Sequence, residues 1–132
     1  MTSTSGTPFL ALGDEAFVSL TTFRKSGDPV STPVWIARDG DELVVITPDD
    51  SGKVKRIRNS GRVELRPCSR RGKVPDDAVA VSGTASIVAD DQHATDVIKK
   101  KYGVEFRIVM FVELLVARRR KPRVILRIRA GE

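Results

Sequence analysis

One cysteine and one histidine among 132 residues leave little material for several kinds of chemistry. The lone Cys68 excludes an internal disulfide framework and fits a reducing compartment. Cys68 and His93 are too few and too far apart for a zinc site or a Cys–His dyad, and His93 is expected as a solvated helix residue. No apolar run approaches the ~20 residues of a membrane span. The opening MTSTSGTPFLALG has neither a basic n-region nor a long apolar h-region, so no signal peptide is expected and the protein is read as cytoplasmic. Aromatic residues make up only 5% of the chain and are scattered. With no RNP-type strand and no recognition-helix motif, nucleic acid is not an expected partner. There is no G-x-S-x-G elbow and no carboxylate pair in an apolar setting. SGK at 51–53 lacks the upstream glycine of a P-loop, and VSGTAS at 81–86 has too few glycines for a dinucleotide fingerprint. No metal site and no catalytic residue can be named. Either the protein is not an enzyme, or a bound cofactor carries the chemistry.

What remains is an ordinary globular composition, 40% apolar and 30% charged, at a length that fits one domain. The net charge of +6 favours anionic partners. The basic residues concentrate at 51–73 and 118–129. Residues 1–13 read as a flexible N-terminus and 14–130 as the folded domain. EAFVSLTTF (15–23) and VSTPVWIA (30–37) read as a β-hairpin around the turn RKSGDP, with Pro33 marking an edge, a bulge or a ligand-facing break. LVVIT (43–47), GRVELRPC (61–68), AVAVSGTASIV (78–88) and RVILRIRA (123–130) read as further strands. Gly83 marks a bulge or a close backbone approach, and the last strand is expected to bury one face. A short helix follows the third strand, capped by Asp50 or Ser51, and two more cover 90–103 and 104–121. Short turns between successive strands argue for an antiparallel barrel. The segment 106–117 is apolar nearly all round, so it is expected to be buried against the barrel or a dimer partner. The competing reading is a membrane-surface element with Arg118–Lys121 on anionic headgroups, and membrane association is the less favoured of the two.

SGKVKRIRN (51–59) can be a solvated helix face, a nucleic-acid patch or a cradle for one phosphate. Val54 and Ile57 make a single apolar stripe, and the basic residues surround it. Lys53 sits in the first turn, where a cation opposes the helix dipole unless an anion compensates it. Thr47 and Ser51 add hydroxyls beside the same turn.

The order of these pieces resembles the pyridoxamine 5′-phosphate oxidase-like split β-barrel family. The similarity is carried by G-D-P-V-S-T-P-V-W, S-G-K-V-K-R-I-R, R-V-E-L-R-P-C and V-S-G-T-A, across roughly residues 14–129. Within that family the chain is most similar to the F420-dependent (deazaflavin-dependent) oxidoreductases of actinobacteria. The resemblance implies a mainly β fold, a six-stranded antiparallel split β-barrel of the FMN-binding type, forming a homodimer with its cofactor at the interface. It implies that Lys53 and Lys55, with Thr47, Ser51 and Arg56 nearby, hold the phosphate of coenzyme F420. Thr32, Pro33, Val34 and Trp35 would run along the flavin-type ring. The implied function is hydride transfer between reduced F420 and a small-molecule substrate. An FMN-dependent oxidoreductase and a non-catalytic F420 carrier stand as alternatives.

Overall fold

The computed structural model describes residues 6–117 and 122–131. Seven strands make one antiparallel sheet: β1 (Val18–Phe23), β2 (Pro29–Val34), β3 (Ala37–Asp39), β4 (Glu42–Pro48), β5 (Arg62–Pro67), β6 (Val81–Ala89) and β7 (Arg123–Ala130). Their spatial order is β2-β1-β5-β6-β7-β4-β3. The mainly β, antiparallel architecture matches the expectation, but the count is seven, not six. The difference lies in residues 30–37, expected as one strand. β2 pairs with β1 up to Val34, opposite Val18, whereas β3 pairs with β4 from Ala37, opposite Val44. Trp35 and Ile36 carry the chain from one edge of the sheet to the other, so the sheet must curl until its edges approach.

Among the described residues, four helices accompany the sheet: α1 (Gly6–Ala11), followed by a 3-10 turn at Leu12–Asp14, then α2 (Gly52–Asn59), α3 (Gln92–Tyr102) and α4 (Val104–Ala117). The inner face of the sheet gathers Leu20, Val45, Leu65, Leu126 and Ile128, with Val54 and Ile57 of α2 packed on them. The segment expected to be flexible, residues 1–13, is helical from Gly6. Phe9 is fully buried and enters this cluster with Leu12, so the packed domain starts before residue 14. On the outer face, Val44 and Ile125 meet Ala94, Ile98 and Tyr102 of α3 and Phe106 of α4. The last strand was expected to bury one face, yet β7 is covered on both, because α3 and α4 lie over the side that alternation leaves outward. Gly83 is a close approach: a Cβ there would stand 2.8 Å from Ile128 Cγ2 and 2.9 Å from the Arg129 carbonyl oxygen.

The corner at Trp35–Ile36 has left the ladder, so its backbone groups need other partners. The Tyr102 hydroxyl accepts from the Ile36 N–H at 2.9 Å and lies 3.0 Å from the Ile36 carbonyl and 2.8 Å from that of Ala16. Lys101 Nζ donates to the carbonyls of Gly13, Glu15 and Ile36 at 2.6, 2.6 and 2.5 Å. Burial lowers the Lys101 pKa, and the Asp14 and Glu15 charges act against that shift. The C-terminal turn of α3 thereby fastens the corner to the N-terminal segment. Arg127, on the outer face of β7, ties the other end of α3 to the β3–β4 hairpin. It meets Asp91 at 2.7 Å, Asp39 at 3.0 Å and Glu42 at 3.1 Å.

The expectation for 106–117 needs correction within one chain. Phe106 is buried, but Val104, Ile108 and Phe111 are 68%, 56% and 59% exposed. Phe106 packs on α3 and on Ile125 of the sheet, and Val109 lines a cavity beside the barrel, while Val104, Ile108, Phe111 and Val112 face away from both. Residues 118–121, including the expected headgroup-facing cations, lie outside the described residues. No described helix is long and apolar enough to cross a membrane.

Candidate functional site

The turn from β4 into α2 is set by hydroxyls. Ser51 caps the helix, its Oγ accepting from the Val54 N–H at 3.4 Å, and Thr47 Oγ1 donates to that same Oγ at 3.3 Å. With Val54 and Ile57 committed to the core, Lys53 falls beside the end of β4. There it lines a cavity of about 250 Å³ with Pro33, Val34, Trp35 and Thr47. Five of the expected residues thus meet in one place, drawn from β2, the corner, β4 and α2.

Four expected residues take other positions. Lys55 is exposed and does not line the cavity, since two residues along a helix is more than half a turn away. Ser51 acts on the cavity only through Thr47. Arg56 folds back over the start of α2, 2.7 Å from where a Gly52 Cβ would stand, and its Nε donates to the buried Thr22 Oγ1 at 2.6 Å. Thr32 sits opposite Leu20 in the β1–β2 ladder, and its buried Oγ1 has no hydrogen-bond partner among the described residues.

Phe17, Ile46, Pro48, Val109 and Arg123 complete the lining and were not foreseen. Arg123 reads locally as one of the outward basic residues of an alternating strand. Only the β4–β7 register, which sets it opposite Pro48, brings it to the site. Val109 reads as one more apolar residue of a helix, without local signal.

Burial is the main cause lowering the Lys53 pKa, and the neighbouring Arg56 charge adds to it. Burial likewise lowers the Arg123 pKa. Two half-buried cations, the buried Thr47 hydroxyl and the apolar Pro33 and Trp35 thus line one cavity, chemistry that suits an anion beside an apolar surface. Trp35 stacks on Tyr102 with ring centroids 4.6 Å apart and planes 13° from parallel. Among the described residues, no group of three or more His, Cys, Asp or Glu side chains could hold a metal ion.

Comparison with known proteins places this geometry in context. The family profile of pyridoxamine 5′-phosphate oxidase matches residues 9–132. No curated protein matches significantly. Among solved structures, the conserved hypothetical protein Rv2991 from Mycobacterium tuberculosis superposes with a TM-score of 0.68 at 22% identity, covering 100% of this chain and 82% of that one. An F420 reductase superposes with a TM-score of 0.61 at 21% identity, covering 92% of each chain. A FAD-binding protein from Mesorhizobium loti gives 0.64 at 16% identity, covering 99% of this chain and 90% of that one. At these identities the likeness is one of fold.

Proposed function

The chain belongs to the pyridoxamine 5′-phosphate oxidase family, and from that premise we propose that it is an oxidoreductase that holds coenzyme F420 in the Lys53 cavity. The observation that carries the reading is that Lys53, Thr47 and Arg123 line one cavity with Pro33 and Trp35. The donor set fits the group. A phosphate needs cations and hydroxyl donors, and a half-buried ammonium whose charge is disfavoured when empty gains most from an anion. The ring system needs an apolar wall that excludes water. At about 250 Å³ the cavity takes part of such a cofactor, leaving the remainder along the open surface. When bound, F420 supplies a hydride donor at C5 of its deazaflavin ring.

The chain's own task is then positioning. Lys53 anchors the anionic end, while Trp35, braced by Tyr102, fixes the plane against which the ring lies. The acceptor is a small electrophile. The exposed apolar stripe of α4, Val104, Ile108, Phe111 and Val112, is read as the face that meets a second copy in a homodimer. The F420 reductase neighbour favours the deazaflavin, and the FAD-binding neighbour makes a flavin the second reading.

The test is a parallel titration of the full chain with F420 and FMN. Tighter binding of F420, weakened roughly 10- to 150-fold by Lys53→Ala and little by Lys55→Ala, is the expected result, because a hydrogen bond to a charged group contributes ~1.5–3 kcal/mol. Unchanged affinity in Lys53→Ala refutes the anchor. Consumption of reduced F420 by one member of an electrophile panel separates the enzyme from a cofactor carrier.

A further inference from the structure

A second cavity, of about 480 Å³, opens between α3, α4 and the outer face of β4 and β7. Ile46 and Arg123 line it as well as the Lys53 cavity, so the two are neighbours. Ile46, Phe106, Pro122, Val124 and Ile125 are its apolar lining residues. Lys99 and Arg123 supply two cations.

Two acids, Asp90 and Asp91, line it as well, and Asp90 is exposed, where water screens its charge. The Asp91 carboxylate is committed, accepting from the Ala94 N–H at 3.1 Å and from Arg127 Nε at 2.7 Å. Asp90 sits in the turn before α3 at a positive φ of 56°. Gln92 and Thr95 spend their donors within α3, on Asp96 and on the Asp91 carbonyl, at 2.7 and 2.9 Å. Lys99 shares the last turn of α3 with Lys100 and Lys101, where any lysine complements the helix dipole. It differs from them in lining the cavity, with its Nζ 6.0 Å from the centre of the Phe106 ring and no ion pair among the described residues.

We propose that this cavity binds a monoanion with an apolar body, an aryl or acyl carboxylate, its charge at Lys99 and its body against Phe106, Ile46 and Ile125. Arg123 belongs to both walls, so a ligand seated here adjoins whatever Lys53 anchors. Its standing as the reaction's substrate rests on the cofactor reading above, while the binding itself does not.

The probes are 2-naphthoate and its neutral counterpart 2-naphthamide, titrated calorimetrically into the full chain with and without saturating F420. Naphthoate is expected to saturate at one per chain, to bind at least tenfold more tightly than the amide, and to remain bound when F420 is added. Lys99→Gln, at an exposed position whose loss leaves the core intact, is expected to weaken naphthoate about tenfold or more and to leave the amide and F420 unchanged. Absence of saturable naphthoate binding, equal affinity for the two probes, or one-for-one displacement by F420 overturns the proposal. Naphthoate affinity that survives Lys99→Gln but is lost in Ile108→Ser/Phe111→Ser also overturns it, by placing the probe on the α4 surface. Should F420 fail to bind while naphthoate behaves as expected, the cofactor reading falls and this site stands.

Discussion

Replacing Tyr102 by Phe removes one oxygen atom from the point where the chain crosses between sheet edges. The aromatic ring stays, and with it the 4.6 Å stacking on Trp35, so the change isolates the hydroxyl. That hydroxyl is the hydrogen-bond partner of the Ile36 N–H, and its contacts reach the Ile36 and Ala16 carbonyls. The Ile36 carbonyl keeps Lys101, but the Ile36 N–H, in a residue with no exposed surface, is left unpaired. A stranded buried donor costs about 1–3 kcal/mol and the lost donation about 1 kcal/mol more, roughly 2–4 kcal/mol in all. At about 0.28 kcal/mol/K of unfolding entropy for a chain this long, Tm should fall by roughly 7–14 °C. A second signature lies in alkali. Burial is the main cause pushing the Tyr102 hydroxyl up to about 12, above the ordinary tyrosine value near 10. Between those values the unfolded chain releases the proton and the folded chain keeps it, so stability falls as pH rises through the window. Tyr102→Phe should lack that limb. Thermal unfolding by circular dichroism, at neutral pH and across about pH 10–12, reads both effects, and emission from the single tryptophan, Trp35, reports on the site wall. A Tm loss under about 2 °C, or an alkaline limb identical in the two proteins, refutes the claim that this hydroxyl seals the corner.

Gly83→Ala should destabilise by about 1–3 kcal/mol in a denaturant titration, because the new methyl meets the Ile128 side chain and the Arg129 backbone. Asp91→Asn keeps a competent helix cap but loses the charge facing Arg127, and should cost about 1–2 kcal/mol at neutral pH. Its hydrogen bond with Arg127 is the largest cause holding the Asp91 pKa below the ordinary value. That stabilisation is present above the ordinary carboxylate range and is lost as pH falls through the lowered pKa. Variant and wild type should therefore converge in acid unfolding. On the proposed homodimer, Ile108→Glu with Phe111→Glu should leave a monomer in sedimentation velocity without lowering the helix content, since both side chains are exposed in one chain. A dimer unaffected by the pair removes α4 from the interface.

The helix after β4 could be read locally because its signals are local. Ser51 caps it, Val54 and Ile57 are spaced for one buried stripe, and Lys53 is the residue that breaks the dipole rule. That break pointed to the cavity, and Thr47 and Trp35 arrive there with it. Lys55 and Arg56 carry the same charge as Lys53, but rotation about the helix axis directs one to solvent and the other to Thr22. Charge in a sequence has no direction until the core chooses which side of the helix faces inward. Residues 1–13 misled for the opposite reason. Phe9 and Leu12 bound a run of only four apolar residues, too short to announce a packed element, and their burial depends on a barrel that residues far along the chain build.

The sequence by itself determined the antiparallel pattern of strands, the capped helices, the family and the neighbourhood of Lys53, because each follows from short-range periodicity or from motifs read in order. Only the tertiary structure decided that residues 30–37 split at Trp35–Ile36, that Arg123 joins Lys53, and that α4 leaves an apolar face outside the barrel. Those outcomes depend on strand register and on which surfaces remain to be covered once the sheet has curled. They are set by contacts among residues tens of positions apart, and no local pattern encodes them.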